Sequence, residues 1–221
     1  MRSKLLPLSL AILALLTVSA RSQTIVTFDD LSESGSGAFF GYGSGALAPQ
    51  GYAGLIWSNI ACNNAILLTN VLPNEFPGAP TNGLSGDYYG MVSPPNVALM
   101  LPSCEIDSYA TNFNFLSAYL TGVWNSNLNI EVQGYRDTNL IYDETVVASA
   151  TNPTLFTFNF LDIDRLYFNA YGGEPAGFGS IAGAEFAMDN FEFDFIPEPS
   201  TFLLAALGAV SLVAFLRRKR A

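Results

Sequence analysis

Short apolar runs separated by turn-forming residues dominate the chain between residues 24 and 195. Aromatic and β-branched residues are frequent in these runs, as is typical of strands on half-buried sheets. No stretch of this segment keeps a sustained helical period. The pattern predicts strands at Thr24–Phe28, Leu55–Ile60, Ala65–Leu72, Val97–Leu101, Asn112–Val123, Leu128–Tyr135, Leu140–Val147, Leu155–Phe160, Arg165–Ala170 and Ala184–Phe195.

The number and spacing of these strands predict an all-β fold. In the segment 128–132 apolar and polar residues alternate strictly, which indicates a strand with one face in a core. About ten such strands are typical of a two-sheet antiparallel β-sandwich, and a jelly-roll-like arrangement is the expected form. Residues 136–139 and 161–164 carry Asp or Asn between strands, so each is predicted to form a hairpin turn.

Both ends of the chain predict export and attachment to a membrane. Arg2 and Lys4 precede an apolar stretch that ends in small residues, which is typical of a signal peptide cleaved after Ala20; an uncleaved N-terminal anchor is the alternative. Near the other end, the apolar run 202–216 would form a helix about 22 Å long, at the short end of what crosses a membrane. The basic residues 217–220 follow it directly and are expected to stay in the cytoplasm.

A proline-rich joint, Pro197-Glu198-Pro199, stands just before this apolar run and breaks any helix there. The order of Pro-Glu-Pro, apolar span and basic end resembles the PEP-CTERM sorting signal of Gram-negative bacteria. The resemblance implies processing by an exosortase, a membrane transpeptidase-like enzyme, in organisms that make extracellular polysaccharide. An ordinary single-pass anchor is the alternative. The predicted organisation is a signal peptide (1–20), an exported β-sandwich (21–195) and a sorting signal (196–221) containing a transmembrane helix (202–216) and a basic tail (217–220).

The charge of the exported segment restricts its partners. Three basic residues against 18 acidic ones give residues 21–196 a formal charge of −15. Such a surface repels phosphate backbones and argues against a nucleic-acid partner.

The absence of histidine from the sequence restricts the chemistry of the domain. It excludes Ser-His-Asp and Cys-His catalysis and the usual zinc sites. Glu185, Asp189 and Glu192 are the nearest approach to a pair of hydrolytic carboxylates. Their spacing differs from the E-x-D-x-x-E pattern of laminarinase-like jelly rolls. The domain is therefore predicted not to be an enzyme.

The two cysteines, Cys62 and Cys104, form an even pair in a compartment that favours oxidation. Two thiolates with no third soft ligand make a poor metal site. A disulfide between them is the prediction.

Carboxylates lie near both ends of the exported segment. Asp29 and Asp30 close the first predicted strand, and Asp189 lies in the last one, where a change of apolar parity predicts a β-bulge at Asp189-Asn190. If these two strands pair, the carboxylates converge in an oxygen-rich site suited to calcium. The arrangement resembles jelly-roll carbohydrate-binding modules that hold a structural calcium. In the alternative interpretation, Asp29 and Asp30 form a turn and Asp189-Asn190 is only a bulge.

Tyr88 and Tyr89 follow Gly86-Asp87 in a predicted loop and are the best candidates for an exposed aromatic platform. Such rings stack on sugars because they offer an apolar face beside hydrogen-bonding edges.

The sequence as a whole predicts an exported, non-catalytic β-sandwich protein, anchored to the inner membrane facing the periplasm and released to the cell surface or medium after processing. The exosortase partner and the setting of extracellular polysaccharide or biofilm matrix are implied by the resemblance. A calcium-stabilised carbohydrate-binding module is the alternative function, and a glycoside-active enzyme is a third. No cofactor is required beyond the possible structural calcium.

Overall fold

Strands make up almost all of the regular structure, as the alternating apolar runs predict. The computed structural model describes residues 23–31, 38–40, 51–66, 69, 78, 81–109, 111–196, 207, 208, 210, 211 and 215. The strands are β1 (Thr24–Val26), β2 (Ala38–Phe40), β3 (Leu55–Asn64), β4 (Asn96–Ser108), β5 (Phe113–Gly122), β6 (Asn125–Ser126), β7 (Leu128–Arg136), β8 (Asn139–Ala148), β9 (Thr154–Ile163), β10 (Arg165–Tyr171), β11 (Glu174–Pro175) and β12 (Phe186–Phe195). Two short helices accompany them, a 3-10 helix at Tyr52–Gly54 and α1 at Gly86–Gly90.

Ten of these strands form one continuous sheet, and β6 pairs with β11 in a separate ribbon. The sheet has the order β8-β7-β10-β4-β12-β5-β9, with β1 on β12, β3 on β4 and β2 on β3. All the pairs are antiparallel. The predicted all-β antiparallel fold is confirmed at this level, in a form between a sandwich and a barrel.

The long strand β4 belongs to both halves of the sheet. Its second half pairs with β10 and its first half with β12. We call β8, β7 and β10 with the second half of β4 the β7 layer, and β12, β5 and β9 with the first half of β4 the β5 layer. Between the two halves of β4, the pairing register with the neighbouring strand β3 shifts. At this point Asn59 of β3 has a left-handed φ of 60°. Such an irregularity bends a strand, which lets β4 pass from one layer to the other.

The hydrophobic core lies between the two layers. Phe115 of β5 stacks on Phe191 of β12 with 4.9 Å between ring centroids, and its edge contacts Phe168 of β10 at 6.4 Å. Phe168 in turn lies 5.9 Å from Phe186 of β12. Since β5 and β10 are not neighbours in the sheet, these ring contacts show that the layers face each other. The predicted alternation in 128–132 is confirmed, because its three apolar side chains are fully buried.

The predicted bulge in β12 is also confirmed. The register against β5 shifts between Asp189 and Glu192, and Asn190 has a left-handed φ of 49°. An extra residue at this point returns the second half of the strand to the same face as the first. As a result, the apolar side chains on both sides of the bulge are fully buried, namely Phe186, Met188, Phe191 and Phe193.

Two local predictions had different outcomes at the turns. The hairpin at residues 136–139 is confirmed, with left-handed φ values at Asp137 and Thr138. The hairpin at residues 161–164 is wrong, because β9 pairs with β5 whereas β10 pairs with β7 and β4. At that point the chain crosses from one layer to the other.

The predicted strand at Ala65–Leu72 is not formed where the structure describes it, since residues 65, 66 and 69 are helical.

The signal peptide (1–20), the Pro197-Glu198-Pro199 joint and most of the apolar run 202–216 lie outside the described residues. Residues 207, 208, 210, 211 and 215 of the tail are helical. Within the described part of the chain, no helix has both the length and the apolar character needed to cross a membrane. Gln23–Ile196 forms one compact unit, close to the predicted exported segment.

Both cysteines lie in described strands, and no disulfide joins them, so the predicted Cys62–Cys104 bridge is not supported. Cys62 pairs with Ala98, whereas Cys104 adjoins Glu105, which pairs with Ser58. Cys62 lies four positions from Ser58 along β3, a distance of roughly 13 Å. A disulfide needs Cα atoms within about 7 Å. The two thiols occupy core positions instead, each 1% exposed.

Thiol labelling tests this register. We expect native protein to take up no thiol reagent, because both groups are buried and burial raises the pKa of the Cys104 thiol, with the Glu105 charge adding to it. After unfolding in guanidinium without reductant, both cysteines should label. The Cys62→Ser and Cys104→Ser variants should each label once. If unfolded protein labels only after reduction, a disulfide exists and the register is contradicted.

Candidate functional site

Asp189, the predicted calcium ligand of the last strand, holds a loop instead. Its Oδ2 accepts the backbone N–H groups of Val92 and Ser93, both at 2.7 Å. Its Oδ1 accepts the Ser93 hydroxyl at 2.8 Å and the Asn190 N–H at 2.7 Å. Burial raises the pKa of Asp189, while these donors act in the opposite direction. With four donors on two oxygens, Asp189 fastens the loop after α1 to the bulge.

Asp29 and Asp30 have partners of their own. β1 pairs with β12 as the calcium hypothesis required, but Asp29 Oδ1 accepts the Asn96 N–H at 3.0 Å and Asp30 Oδ1 accepts the Tyr52 hydroxyl at 2.6 Å. In the described ranges, no three or more His, Cys, Asp or Glu side chains come together as a metal site would require. These contacts agree with the turn-and-bulge alternative, and calcium at Asp29, Asp30 and Asp189 stays a prediction.

The predicted aromatic platform is only partly presented to solvent. Tyr88 and Tyr89 lie in α1, and their rings meet edge to face at 5.8 Å. Tyr88 is 37% exposed, whereas Tyr89 is half-buried and stacks on Phe178 at 5.7 Å. One tyrosine of the pair is thus available to a ligand.

The solvent side of the β7 layer carries a larger set of polar and aromatic side chains. β10 lies between β7 and β4, and its residues Leu166 and Phe168 point into the core. The intervening residues therefore point outwards, beside the outward residues of both neighbours. We call this set the polar face; it consists of Ser103, Glu105, Asp107, Glu131, Gln133, Tyr135, Arg165, Tyr167 and Asn169.

Hydrogen bonds fix several of these side chains relative to one another. The Glu131 carboxylate accepts hydrogen bonds from the Gln133 amide at 3.3 Å and from the Asn169 amide at 3.1 Å. The Tyr135 hydroxyl donates to the Gln133 carbonyl oxygen at 2.7 Å. The four groups are therefore oriented before any ligand arrives, which lowers the entropy lost on binding.

Arg165 is the positive charge of the polar face. Its guanidinium lies over the Tyr135 ring at 4.5 Å, and its Nε is buried with no hydrogen-bond partner. Asp107 lies opposite it on β4. Burial and the neighbouring Glu105 raise the pKa of Asp107, while Arg165 lowers it. Since the polar face holds three carboxylates and one guanidinium, it is acidic overall.

The polar face is an open surface, whose side chains are half-buried except for the exposed Ser103. Adjacent strands lie about 4.8 Å apart, so the three strands β7, β10 and β4 that carry the polar face span roughly 10 Å. Tyrosine rings supply apolar patches, and amides, carboxylates and the guanidinium supply donors and acceptors between them. This combination suits an extended, hydroxyl-rich ligand better than a small molecule enclosed in a pocket.

Sequence reasoning missed the polar face, although part of the signal was present. Alternation marked Glu131 as outward-facing, and period-two polar patterns occur at residues 103–107 and 165–171. The sequence does not show that β10 pairs with β7 on one side and with β4 on the other. That non-local register brings the three patterns together.

Comparison with known families identifies the tail. Residues 195–220 match the PEP-CTERM protein-sorting motif. The chain therefore carries this sorting motif, as its Pro-Glu-Pro joint, apolar run and basic end predict. No curated protein matches the chain.

Comparison with solved structures concerns the fold. A DUF4465 family protein from Bacteroides caccae is similar over 80% of this chain and 100% of its own, with 10% identity and a TM-score of 0.53. A DUF4465 family protein from Bacteroides ovatus is similar over 61% of this chain and 71% of its own, with 10% identity and a TM-score of 0.37. The enzymatically active domain of bacteriophage CBA120 tailspike protein 4 is 9% identical over 65% of this chain and 20% of its own, with a TM-score of 0.30. The first likeness supports the all-β fold, and at this identity it extends no further.

Replacing Asp189 by alanine tests the role of its carboxylate. We expect the free energy of unfolding to fall by about 3 kcal/mol, because the part-buried hydrogen bonds from the Val92 and Ser93 N–H groups to the Asp189 carboxylate are lost. Glu144→Ala, on the exposed side of β8, should change it by less than about 0.5 kcal/mol. Urea denaturation measures both, with and without calcium. A difference between wild type and Asp189→Ala that appears only with calcium would make Asp189 a ligand after all.

Proposed function

We propose that this protein is exported, is sorted at the cell envelope through its PEP-CTERM motif, and displays a non-catalytic β-domain that binds neutral polysaccharide. The polar face is the observation that carries the binding part of this proposal. The sorting motif carries the rest.

The two ends of the chain support export and sorting. The N-terminal pattern is that of a cleavable signal peptide, and the motif at residues 195–220 implies an exosortase as processing partner. Before processing, the apolar run 202–216 anchors the chain in the inner membrane with the β-domain in the periplasm. After processing, the domain reaches the cell surface or the surrounding matrix.

The chemistry of the polar face supports a polysaccharide ligand. Sugar rings present C–H surfaces that pack on tyrosine rings, and Tyr167 offers such a ring in the middle of the polar face. Their hydroxyl groups pair with amides and carboxylates, and the Glu131, Gln133 and Asn169 side chains are already held in position. An acidic face repels polyanions, so the proposed ligand is neutral.

The carboxylates considered for hydrolysis support a non-catalytic role. Asp189 is occupied by four donors, and Glu192 accepts the Ser117 hydroxyl at 2.6 Å. Glycoside hydrolysis needs two acids facing each other across the scissile bond, roughly 5 to 9.5 Å apart. Side chains committed to loop and strand contacts do not serve that purpose.

Substitutions on the polar face test binding. Tyr167→Ala and Gln133→Ala should each weaken binding to a neutral glucan or galactan at least tenfold, about 1.4 kcal/mol, because each removes a contact from the centre of the polar face. Tyr109→Ala, at an exposed residue after β4, should leave affinity unchanged. Isothermal titration calorimetry measures the affinities, with an acidic polysaccharide as comparison ligand.

Three results of that experiment would contradict the proposal. Loss of binding with Tyr88→Ala but not with Tyr167→Ala would place the ligand on α1. Tighter binding of the acidic polysaccharide would exclude the neutral class. Steady sugar release that disappears with Glu105→Gln would make the protein an enzyme.

The sorting step has its own test. In a host with an exosortase, the mature protein should lose the segment that follows the Pro197-Glu198-Pro199 joint, and in an exosortase-deficient host it should keep the tail and stay in the membrane fraction. Replacing Pro197 and Pro199 by alanine should reproduce the deficient phenotype. Intact mass spectrometry of envelope and medium fractions reads out the result. Only full-length chains in the competent host would refute processing.

A further inference from the structure

Tyr171, the last residue of β10, continues the outward side of this strand beyond the polar face. Ala170 before it is buried, so Tyr171 points outwards as Asn169 does. It pairs with Asn129 of β7, whose side-chain amide donates to the Tyr171 backbone carbonyl at 3.4 Å. The Tyr171 side chain is 47% exposed. An exposed ring therefore stands at the end of a strand that also carries the centre of the polar face.

The chain changes direction directly after this ring. Gly172 and Gly173 follow Tyr171 with left-handed φ values of 72° and 73°. Glycine adopts such values without the steric cost that other residues have. Tyr171 is therefore the last outward residue of β10.

The outward residues of β10 form one column, which consists of Arg165, Tyr167, Asn169 and Tyr171. A strand rises about 3.3 Å per residue, so the column is roughly 20 Å long. The three strands β7, β10 and β4, measured across the sheet, span roughly 10 Å. The polar face together with Tyr171 is therefore longer along β10 than across it.

The rings that a sugar can stack on follow this column. Tyr167 and Tyr171 lie four residues apart on β10, with Asn169 between them. The Tyr135 ring of β7 is covered by the Arg165 guanidinium, 4.5 Å from its centroid. The outward residues of the two strands that flank β7 and β4 are aliphatic or polar at these levels, namely Asp143, Thr145 and Val147 of β8 and Ile56 and Ser58 of β3.

Positioned polar groups line both sides of the column. On the β7 side, the Gln133 amide and the Glu131 carboxylate are joined by a hydrogen bond. On the β4 side, the hydroxyl groups of Ser103 and Tyr167 share a hydrogen bond at 2.9 Å, which holds the Tyr167 ring in place. A chain lying along β10 therefore has rings beneath it and oriented hydrogen-bonding groups on both sides.

We propose that Tyr171 is a second stacking residue of the polysaccharide site and that the ligand is a linear glycan lying along β10, from Arg165 to Tyr171. This inference rests on the proposed binding of neutral polysaccharide to the polar face. An unbranched chain keeps its sugar rings over the column, whereas a branch meets the polar groups on either side. The ligand class is therefore a linear, neutral polysaccharide.

The dependence of affinity on ligand length tests this orientation. Linear gluco- and galacto-oligosaccharides of two to six sugar residues are titrated into the full-length protein by calorimetry. Affinity should rise with chain length until the oligosaccharide reaches from Arg165 to Tyr171, and should then stay constant. Tyr171→Ala should weaken hexasaccharide binding roughly fivefold, because one stacking contact is lost, and should leave disaccharide binding unchanged. Tyr171→Phe keeps the ring and should bind as the wild type does.

Matched variants separate this orientation from one across the strands. Thr145→Ala of β8 and Ser58→Ala of β3 remove outward side chains on either side of the column and should leave hexasaccharide affinity unchanged. Tyr109→Ala, at another exposed tyrosine, should also have no effect. Melting temperatures of all variants should match that of the wild type, because each change is at an outward-facing side chain.

The possible failures distinguish this inference from the function on which it rests. Wild-type binding that is lost with Tyr167→Ala but unchanged with Tyr171→Ala overturns the inference and leaves polysaccharide binding in place. Affinity that is independent of chain length also overturns it, as does hexasaccharide binding weakened by Thr145→Ala or Ser58→Ala. Absence of wild-type binding to every oligosaccharide and to the parent glucan and galactan contradicts the proposed function itself, and this inference with it.

Discussion

The bulge at Asp189-Asn190 is the feature on which the rest of the fold depends. β12 pairs with β5 along most of its length, with β4 through its first half and with β1 through its second. Without the extra residue, Phe191 and Phe193 would face away from the core that Phe186 already enters. Asp189, next to Asn190 in the bulge, also anchors the loop after α1, because its carboxylate accepts two backbone N–H groups of that loop. Core packing and the position of α1 are therefore set at one point.

The passage of β4 between the layers produces two outer surfaces of different character. On the β7 layer, outward side chains stay half-buried beside one another and form the polar face. On the β5 layer, α1 covers the sheet and buries Asp87. The first surface presents several groups that neighbours already orient by hydrogen bonds and that can exchange those bonds with a ligand. The second encloses the Asp87 carboxylate, which accepts the Ser85 hydroxyl.

Features that depend on local periodicity could be predicted from the sequence, and features that depend on strand register could not. Alternation at 128–132 located β7, and the parity change at Asp189 located the bulge. The predicted disulfide is not supported, because parity places Cys62 and Cys104 inside the core without fixing their positions along β3 and β4. The hairpin predicted at 161–164 is wrong for a related reason. A turn-forming sequence does not reveal whether the following strand stays in the same layer. A prediction of the polar face would have needed the same knowledge of the strand register.

The acidity of the exported segment explains how its carboxylates are satisfied. With no lysine and few arginines between residues 21 and 196, ion pairs are scarce, and neutral donors take their place. The carboxylates that accept hydrogen bonds from such donors are those of Asp29 (from the Asn96 N–H), Asp30 (from the Tyr52 hydroxyl), Asp189 (from Val92, Ser93 and Asn190), Glu192 (from the Ser117 hydroxyl) and Asp194 (from the Asn114 amide). Asp87, which is 3% exposed, follows the same pattern, since it accepts the Ser85 hydroxyl.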